Sequence, residues 1–244
     1  MKRAFVTGAA AGLGRATAEQ LAREGWEIVG LDRDQGEHVS IRADLSDRRE
    51  VLRALDEAIA AGPYDLALLN AGISATGRFE AIPAEAHERV LAVNAEAPIL
   101  FANGLVRAEA LKRGARLVFV SSLSHFVGYP GAASYAASKS AVAIYAKSIR
   151  KAMTARGYSV TLACPGPMRT AQAERHAPPD AKVDKRMSAE AAARIILKAA
   201  FAGRFLTVPG VSNRAASLFG RLAPRFATRA MHRLIYEKLD RDVW

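Results

Sequence analysis

Tyr135 and Lys139, four residues apart, are the side chains of this sequence whose types and spacing most directly suggest proton-transfer chemistry. They lie in the segment "ASYAASKSAVAIYAKS" (133–148), which carries few large apolar groups and reads as a helix. Residues four apart share one face of a helix, so the lysine would place a positive charge beside the phenol. Such a charge favours the ionised form of a group that otherwise titrates near ~10. The same spacing also occurs by chance on many helices, so the pair needs support from the rest of the chain.

The elements that must position this pair form an alternating pattern of apolar runs and helices. The runs that predict buried strands are 3–7, 26–31, 38–41, 64–69, 116–121, 158–164 and 204–208. The helical patterns are 12–24, 47–61, 83–112 (with a kink expected at Pro98), 133–156 and 188–202. Near-continuous apolar strands separated by helices indicate a parallel sheet covered on both faces. We therefore predict an α/β fold with a doubly wound sheet of about seven strands, which binds ligands beyond the carboxyl ends of the strands.

Length and composition narrow the class of protein. A chain of 244 residues, half of them hydrophobic, suits a single α/β domain with a substantial core. The single cysteine, Cys164, excludes an internal disulfide framework and a cysteine-based metal site, and it fits a reducing, cytoplasmic compartment. The histidines show no paired ligand spacing, so no metal is predicted. The uncharged run from Leu117 to Ser138 contains serines, glycines and a proline, which argues against a membrane helix.

The formal charge of +11 favours binding to an anionic partner. Lysine and arginine are scattered and no basic run is interleaved with aromatic residues, so nucleic acid is not predicted. An anionic cofactor, acidic metabolites and an anionic membrane surface remain open as partners.

A glycine-rich turn follows the first predicted strand. The residues Thr7–Gly14 lead straight into a helix, where glycines permit a tight turn and let the backbone approach a pyrophosphate. Asp32, eighteen positions past Gly14, ends the next strand and can accept both ribose hydroxyls while repelling a 2′-phosphate, which favours NAD over NADP. Arg33 beside it can pair with that phosphate, so NADP stays open. The alternative is a glycine-rich turn that holds no ligand.

Several short motifs occur in one order along the chain. They are Thr7–Gly14, Asn70-Ala71-Gly72, Asn94, Ser122, Tyr135-x-x-x-Lys139 and Pro165-Gly166. In this order and spacing the sequence resembles the classical short-chain dehydrogenase/reductase family over residues 1–210. Each motif alone is short, and the ordered set carries the specificity. The resemblance implies a single Rossmann-like catalytic domain over 1–210. Residues 167–187 are polar, contain prolines and follow a strand end, so they form either a surface loop or a lid over the site, and their position beyond the carboxyl end of a strand favours the lid.

The resemblance also implies roles for four side chains. Tyr135 is expected to act as general acid in reduction and general base in oxidation, and Lys139 to contact the nicotinamide ribose and lower the pKa of the tyrosine. Ser122 is expected to hydrogen-bond the substrate oxygen, and Asn94 to hold a water that relays protons to Lys139. The implied activity is an NAD(P)-dependent oxidoreductase that interconverts a small-molecule alcohol and a carbonyl by hydride transfer. The alternative is a non-catalytic sensor or scaffold that binds a nicotinamide dinucleotide.

The same resemblance assigns a set of residues to the cofactor and an oligomeric state. The cofactor-binding residues are Gly8, Ala11, Gly12, Leu13, Gly14, Asp32, Arg33, Asp44, Leu45, Asn70, Ala71, Gly72, Tyr135, Lys139, Pro165, Gly166 and Thr170. Asp44 occupies the acidic position that meets the adenine ring. The family implies a homodimer or homotetramer in which helices 83–112 and 133–156 pair between subunits.

The tail, 211–244, continues the same domain as a basic helical extension. Apolar or small residues recur every four positions, with arginines at 221, 225, 229 and 233 beside them; they are Leu218, Leu222, Phe226, Ala230 and Leu234. This spacing predicts an amphipathic helix, or two helices broken at Pro224. We expect the apolar stripe to pack on this subunit or on a partner subunit. Peripheral attachment to an anionic membrane is the alternative.

Overall fold

The computed structural model describes residues 1–177, 183–239 and 242–244. The strands are β1 Arg3–Thr7, β2 Glu27–Asp32, β3 Val39–Arg42, β4 Tyr64–Leu69, β5 Leu111–Val120, β6 Ser159–Ala163, β7 Met168–Arg169, β8 Met187–Ser188 and β9 Leu206–Thr207. The helices are α1 Gly12–Arg23, α2 Arg48–Ala60, α3 Ala84–Leu91, α4 Ala97–Arg107, α5 Ser124–Val127, α6 Ala133–Ala155, α7 Ala171–Arg175, α8 Ala189–Phe201, α9 Val211–Leu222 and α10 Pro224–Leu234. A π-helical turn covers Ala92–Glu96, and short 3₁₀ turns cover Val183–Lys185 and Tyr236–Lys238.

Seven of the described strands form one parallel sheet in the order β3-β2-β1-β4-β5-β6-β9. The chain moves outward from β1 to β3 and then returns to place β4 on the other side of β1, so the winding direction reverses between β1 and β4. Loops that leave two such strands diverge and open a crevice at their carboxyl ends. The predicted α/β doubly wound sheet is confirmed, and the crevice is where its ligands are expected.

Both faces of the sheet are covered by helices, which explains the near-continuous apolar strands. Phe5 points into one apolar layer, where its ring lies 5.6 Å from that of Tyr64 and 5.4 Å from that of Phe101. Its neighbours Ala4 and Val6 point into the opposite layer. Since side chains alternate along a strand, β1 must be apolar at successive positions to supply both layers.

The region predicted as one helix over 83–112 is broken into three parts. Pro98 has no N–H and cannot donate to the carbonyl oxygen of Asn94 four residues earlier, and the π-helical turn lies at this point. The helix ends at Arg107, and β5 begins at Leu111 instead of the predicted residue 116. The early part of β5 is polar because its side chains reach solvent, where the Lys112 ammonium lies 2.8 Å from the Asp65 carboxylate.

The tail forms two helices that meet at Pro224, but its apolar stripe faces away from the protein. Leu218, Leu222, Phe226 and Leu234 are 57%, 76%, 64% and 61% exposed. The expectation that the stripe packs on this subunit is therefore wrong. The buried side consists of small residues, and a Cβ added at Gly220 would overlap the backbone carbonyl of Phe126 in α5. Because α9 packs closely on α5, only small side chains fit between the two helices. The large apolar side chains of α9 therefore point away from the protein.

The predicted lid and the tail both include residues that lie outside the described part of the chain. Residues 178–182 of the 167–187 lid and residues 240–241 of the tail lie outside the described residues. Within the lid, β7 pairs in parallel with β8, so Met168 lies opposite Met187. None of the helices in the described part of the chain combines the length and apolar character needed to cross a bilayer.

Candidate active site

The glycine turn forms a narrow backbone cradle between β1 and α1. Gly8 has a φ of 73°, and its N–H donates to the carbonyl oxygen of Leu31 at 2.8 Å. A Cβ at Gly14 would overlap the Gly8 carbonyl, so only glycine lets the helix begin this close to the strand. Ala11 stands at the N-cap, and no side chain among the described residues caps the helix there. The first N–H groups of α1 can therefore donate hydrogen bonds to an anion such as a pyrophosphate.

The carboxylate of Asp32 lies at the carboxyl end of β2, beside this cradle. One of its oxygens accepts from the Ala10 N–H at 2.9 Å and the other from the Asp34 N–H at 3.1 Å. Arg33 is exposed, and its Nε lies 3.4 Å from the Asp34 carboxylate. Two backbone hydrogen bonds thus hold the Asp32 carboxylate in place beside the glycine turn. The guanidinium of Arg33 pairs with the Asp34 carboxylate.

Asp44 lies beyond the end of β3 and is held by local hydrogen bonds. Its Oδ1 accepts from the Ser46 N–H at 2.8 Å and from the Ser46 hydroxyl at 2.7 Å. Partial burial raises the pKa of the Asp44 carboxyl, but the bonds from Ser46 outweigh it and leave the pKa below its usual value. Leu45 and Leu13 are buried in the apolar layers, so they offer a ligand only their backbone groups.

The turn after β4 is tied to the end of β1. The N–H groups of Asn70 and Ala71 donate to the Thr7 hydroxyl at 2.9 Å and 3.0 Å. The Asn70 side-chain amide donates to the Thr7 carbonyl oxygen at 3.0 Å. Thr7 therefore joins the two strands that border the crevice.

Asn94, in the π-helical turn, holds Ile73, which follows Gly72 in the loop after β4. Its side-chain oxygen accepts from the Ile73 N–H at 2.8 Å, and its amide donates to the Ile73 carbonyl at 2.8 Å and to the Ser138 hydroxyl at 3.0 Å. The side chain is 1% exposed. Asn94 thus connects the β4 turn to α6, the helix that carries Tyr135 and Lys139.

Lys139 is buried on the inner face of α6. Its ammonium donates to the carbonyl oxygen of Val120, the last residue of β5, at 3.0 Å. Burial lowers the pKa of Lys139 to about 8. A Cβ at Gly72 would stand 3.0 Å from the Lys139 Nζ, so glycine at this position leaves room for the ammonium.

The Tyr135 hydroxyl interacts with the Ser122 side chain, and the Lys139 ammonium lies 5.9 Å from the centroid of the Tyr135 ring. Burial raises the pKa of the Tyr135 hydroxyl, and its interaction with the Ser122 side chain lowers it in part. The expectation that Lys139 lowers this pKa is not met in the structure, because desolvation dominates and the opposing interaction comes from Ser122. The neighbouring Ser121 points the other way and donates to the Lys139 carbonyl oxygen at 2.7 Å.

The segment that follows β6 crosses above the glycine cradle. The Pro165 carbonyl oxygen accepts from the Leu123 N–H at 2.8 Å. A Cβ at Gly166 would overlap the side chain of Asn213 from α9, and a Cβ at Gly12 would lie 3.3 Å from the Thr170 Cγ2. The structure therefore brings the predicted residues of this segment next to those of the glycine turn.

The carboxyl-terminal residues pair with the loop that follows β4. Val243 pairs with Thr76 in an antiparallel bridge with two backbone hydrogen bonds of 2.8 Å. The Thr76 hydroxyl also lies 2.9 Å from Nδ1 of His176. Ile73 of the loop after β4 and Tyr135 both pack against a small apolar cluster that contains Ala75, Ile82 and Val90. No local pattern predicts a contact between residues this far apart in the chain.

Comparisons with known proteins agree with this geometry. A family model described as short chain dehydrogenase matches residues 2–180. The chain is 34% identical over 224 residues to 1-deoxy-11-beta-hydroxypentalenate dehydrogenase of Streptomyces exfoliatus, covering 84% of this chain and 81% of that protein. It is 34% identical over 180 residues to probable oxidoreductase EphD of Mycobacterium tuberculosis, covering 66% of this chain but only 30% of that longer relative.

A solved structure shows the same fold over nearly the whole chain. The short chain dehydrogenase of Burkholderia cenocepacia in complex with NADP superposes with a TM-score of 0.74 at 25% identity. The superposition covers 96% of this chain and 99% of that one. Since the family model spans more than half of the residues, the chain belongs to the short-chain dehydrogenase family.

Proposed function

We propose that this protein is an NAD(P)-dependent oxidoreductase that interconverts an alcohol and a carbonyl compound. The observation that carries the proposal is the meeting of Tyr135, Ser122 and Lys139 beside the glycine cradle at the carboxyl ends of the strands. Relatives named as a dehydrogenase and an oxidoreductase support the same reaction class. A bound nicotinamide dinucleotide would supply the acceptor or donor of the hydride.

The residues at the crevice suit such a cofactor. The N–H groups at the start of α1 would hold its pyrophosphate, and Asp32 would accept the adenosine ribose hydroxyls. Lys139 would donate to the nicotinamide ribose once it exchanges its present acceptor, Val120. Asp32 disfavours a 2′-phosphate through charge repulsion, and Arg33 is already close to Asp34, so we propose a preference for NAD.

The proton is handled by Tyr135. In reduction its hydroxyl gives a proton to the carbonyl oxygen as that carbon receives a hydride, and in oxidation the phenolate takes the proton from the alcohol. Ser122 donates to the same substrate oxygen and holds it against the tyrosine. Since burial raises the pKa of Tyr135, its hydroxyl is protonated near neutral pH and can serve as the general acid in carbonyl reduction.

Asn94 supports this proton transfer by position. Its side-chain bonds to Ile73 and Ser138 fix the space around the Lys139 ammonium. Pro98 cannot donate to the Asn94 carbonyl, which leaves that oxygen suited to hold a water on the path to Lys139.

Absorbance and fluorescence of the reduced nicotinamide test the proposal. The purified protein is assayed with both cofactors against a panel of alcohols and carbonyls, including isoprenoid and polycyclic alcohols, because the names of two relatives denote a polyprenol and a pentalenate. We expect cofactor binding together with turnover of at least one class. Binding without any turnover would favour the sensor or scaffold, and no binding would contradict both.

We also propose a homo-oligomer formed through α4 and α6. Ile144 on α6 is 56% exposed on the single chain, and the alanines around it permit close approach of a second helix. Light scattering of Ile144→Glu tests this, with a shift to monomer expected and an unchanged mass contradicting it.

A further inference from the structure

The outward face of α9 is apolar and the inward face is small or polar. Ser217 and Gly220 are buried against α5, while Leu218, Phe219 and Leu222 are exposed. At 100° per residue, the exposed apolar side chains lie opposite the buried ones. The helix therefore presents its hydrophobic surface to whatever lies outside the subunit.

α10 also leaves apolar side chains exposed. Phe226 and Leu234 are 64% and 61% exposed, while Ala227 is buried on the protein side. We call the outward side chains the tail surface; they are Val211, Leu218, Phe219, Leu222, Phe226 and Leu234. Large apolar side chains left exposed along two successive helices indicate a site of interaction.

The charged side chains of α9 and α10 are all basic, and the Glu237 carboxylate, just after α10, lies 3.3 Å from Nδ1 of His232. Residues 211–234 contain five arginines and no aspartate or glutamate; the arginines are 214, 221, 225, 229 and 233. Arg214 and Arg221 are seven residues apart and lie on one edge of the apolar arc of α9. The Arg214 Nε donates to the Val208 carbonyl oxygen at 3.1 Å, and the Arg221 guanidinium lies 4.5 Å from the centroid of the Phe126 ring. The other three arginines follow one another at four-residue intervals on exposed positions of α10. A second copy of this surface would bring like charges together, whereas an anionic surface complements them.

We propose that the tail surface binds the interface of an anionic membrane. An apolar face with arginines along its edge matches a helix lying in the plane of a bilayer, with leucine and phenylalanine among the acyl chains and guanidinium groups at the headgroup phosphates. The proposal does not depend on the oxidoreductase activity, because binding uses residues outside the catalytic group.

The membrane-facing helices lead directly to the candidate active site. After α10, Ile235 and Leu239 lie within 3.4 Å and 3.1 Å of where a Cβ at Gly131 would stand, just before α6. Val243 pairs with Thr76 in the loop after β4. A bilayer bound at the tail surface would therefore lie next to the segment that precedes α6, the helix that carries Tyr135 and Lys139.

Vesicle co-sedimentation of the full chain tests the proposal. Vesicles of phosphatidylcholine alone are compared with vesicles that also contain phosphatidylglycerol, without nicotinamide or substrate. We expect binding to the anionic vesicles that weakens with salt, and about fivefold weaker binding for each arginine replaced in Arg225→Gln, Arg229→Gln and Arg233→Gln. Leu222→Ser combined with Phe226→Ser is expected to weaken binding at least about tenfold.

Leu52→Ser, an exposed leucine on α2, is the matched control and should bind as the wild type does. The thermal midpoint of each variant verifies folding, since all substituted side chains are exposed. Unchanged binding of the Leu222/Phe226 double variant, or no binding of the wild type, overturns the proposal. A wild-type dimer that ignores vesicles and dissociates in that double variant would instead assign the tail surface to a second copy of the chain.

Discussion

The Lys139 ammonium lies 5.9 Å from the centroid of the Tyr135 ring and donates to the carbonyl oxygen of Val120 at 3.0 Å. A backbone carbonyl of β5, and not the phenol, therefore holds the ammonium. With the side chain only 4% exposed, the charge has lost most of its hydration, which lowers the pKa of Lys139 to about 8. The protein carries a desolvated cation at the point where its proposed cofactor must bind.

The burial of this cation predicts an unusual dependence of stability on pH. Below about pH 8 Lys139 is charged in both states, and the folded state bears the cost of burying it. Between pH 8 and the unfolded value of 10.5, only the folded state has released the proton, so stability rises with pH. Lys139→Met is expected to raise the free energy of unfolding at pH 7 by up to about 3 kcal/mol. Urea denaturation from pH 7 to 10 measures the difference between the two proteins.

The gain from Lys139→Met should shrink as the pH approaches 10. Lys151→Met, on the exposed side of the same helix, controls for helix propensity. A loss of several kcal/mol at pH 7 in Lys139→Met would show that the bond to Val120 outweighs the cost of burial.

Two adjacent serines are predicted to have opposite effects. Ser122→Ala removes the interaction that lowers the pKa of Tyr135. The rise of the alcohol-oxidation rate with pH, which follows deprotonation of Tyr135, should therefore move to higher pH, and kcat should fall about 100-fold. Ser121→Ala removes the bond to the Lys139 carbonyl and should cost about 1 kcal/mol of stability with kcat retained. Rate profiles against pH and urea denaturation of both variants distinguish the roles. Equal losses of kcat with no change of profile would contradict the assignment of Ser122.

The cofactor preference is predicted to follow the charge of Asp32. Asp32→Asn keeps a side-chain acceptor for the Ala10 N–H but removes the charge that repels a 2′-phosphate. We expect the ratio of kcat/KM for NAD to that for NADP to fall at least about tenfold. Leu52→Asn, far from the crevice, is the control. A ratio that does not change would place the selection at Arg33 or elsewhere.

The main elements and the grouping of the candidate site residues could be predicted from the sequence because their signals are local. The apolar strands, the glycine turn and the Tyr135–Lys139 spacing each lie within a short window, and the parallel sheet brings their ends to one edge. The family resemblance also implies that Thr7 and the turn after β4 join neighbouring strands, and the bonds from the Asn70 and Ala71 N–H groups to the Thr7 hydroxyl agree with this.

Other features could not be predicted because they depend on packing. Periodicity locates the apolar stripe of α9, but it does not say that Gly220 needs the inward side for its close approach to Phe126. The start of β5 was also missed, since Lys112 and Arg113 make the strand polar where it reaches solvent. In the same way, the spacing of Tyr135 and Lys139 says nothing about desolvation, which determines the pKa values of both.

The most direct test of the account is the single-turnover rate of Tyr135→Phe together with its cofactor affinity. The phenylalanine keeps the ring but has no proton to exchange. We predict that hydride transfer falls to background while the dissociation constant of the nicotinamide cofactor stays nearly unchanged. Single-turnover rates comparable to those of the wild type would contradict the central claim that the Tyr135 hydroxyl moves the proton.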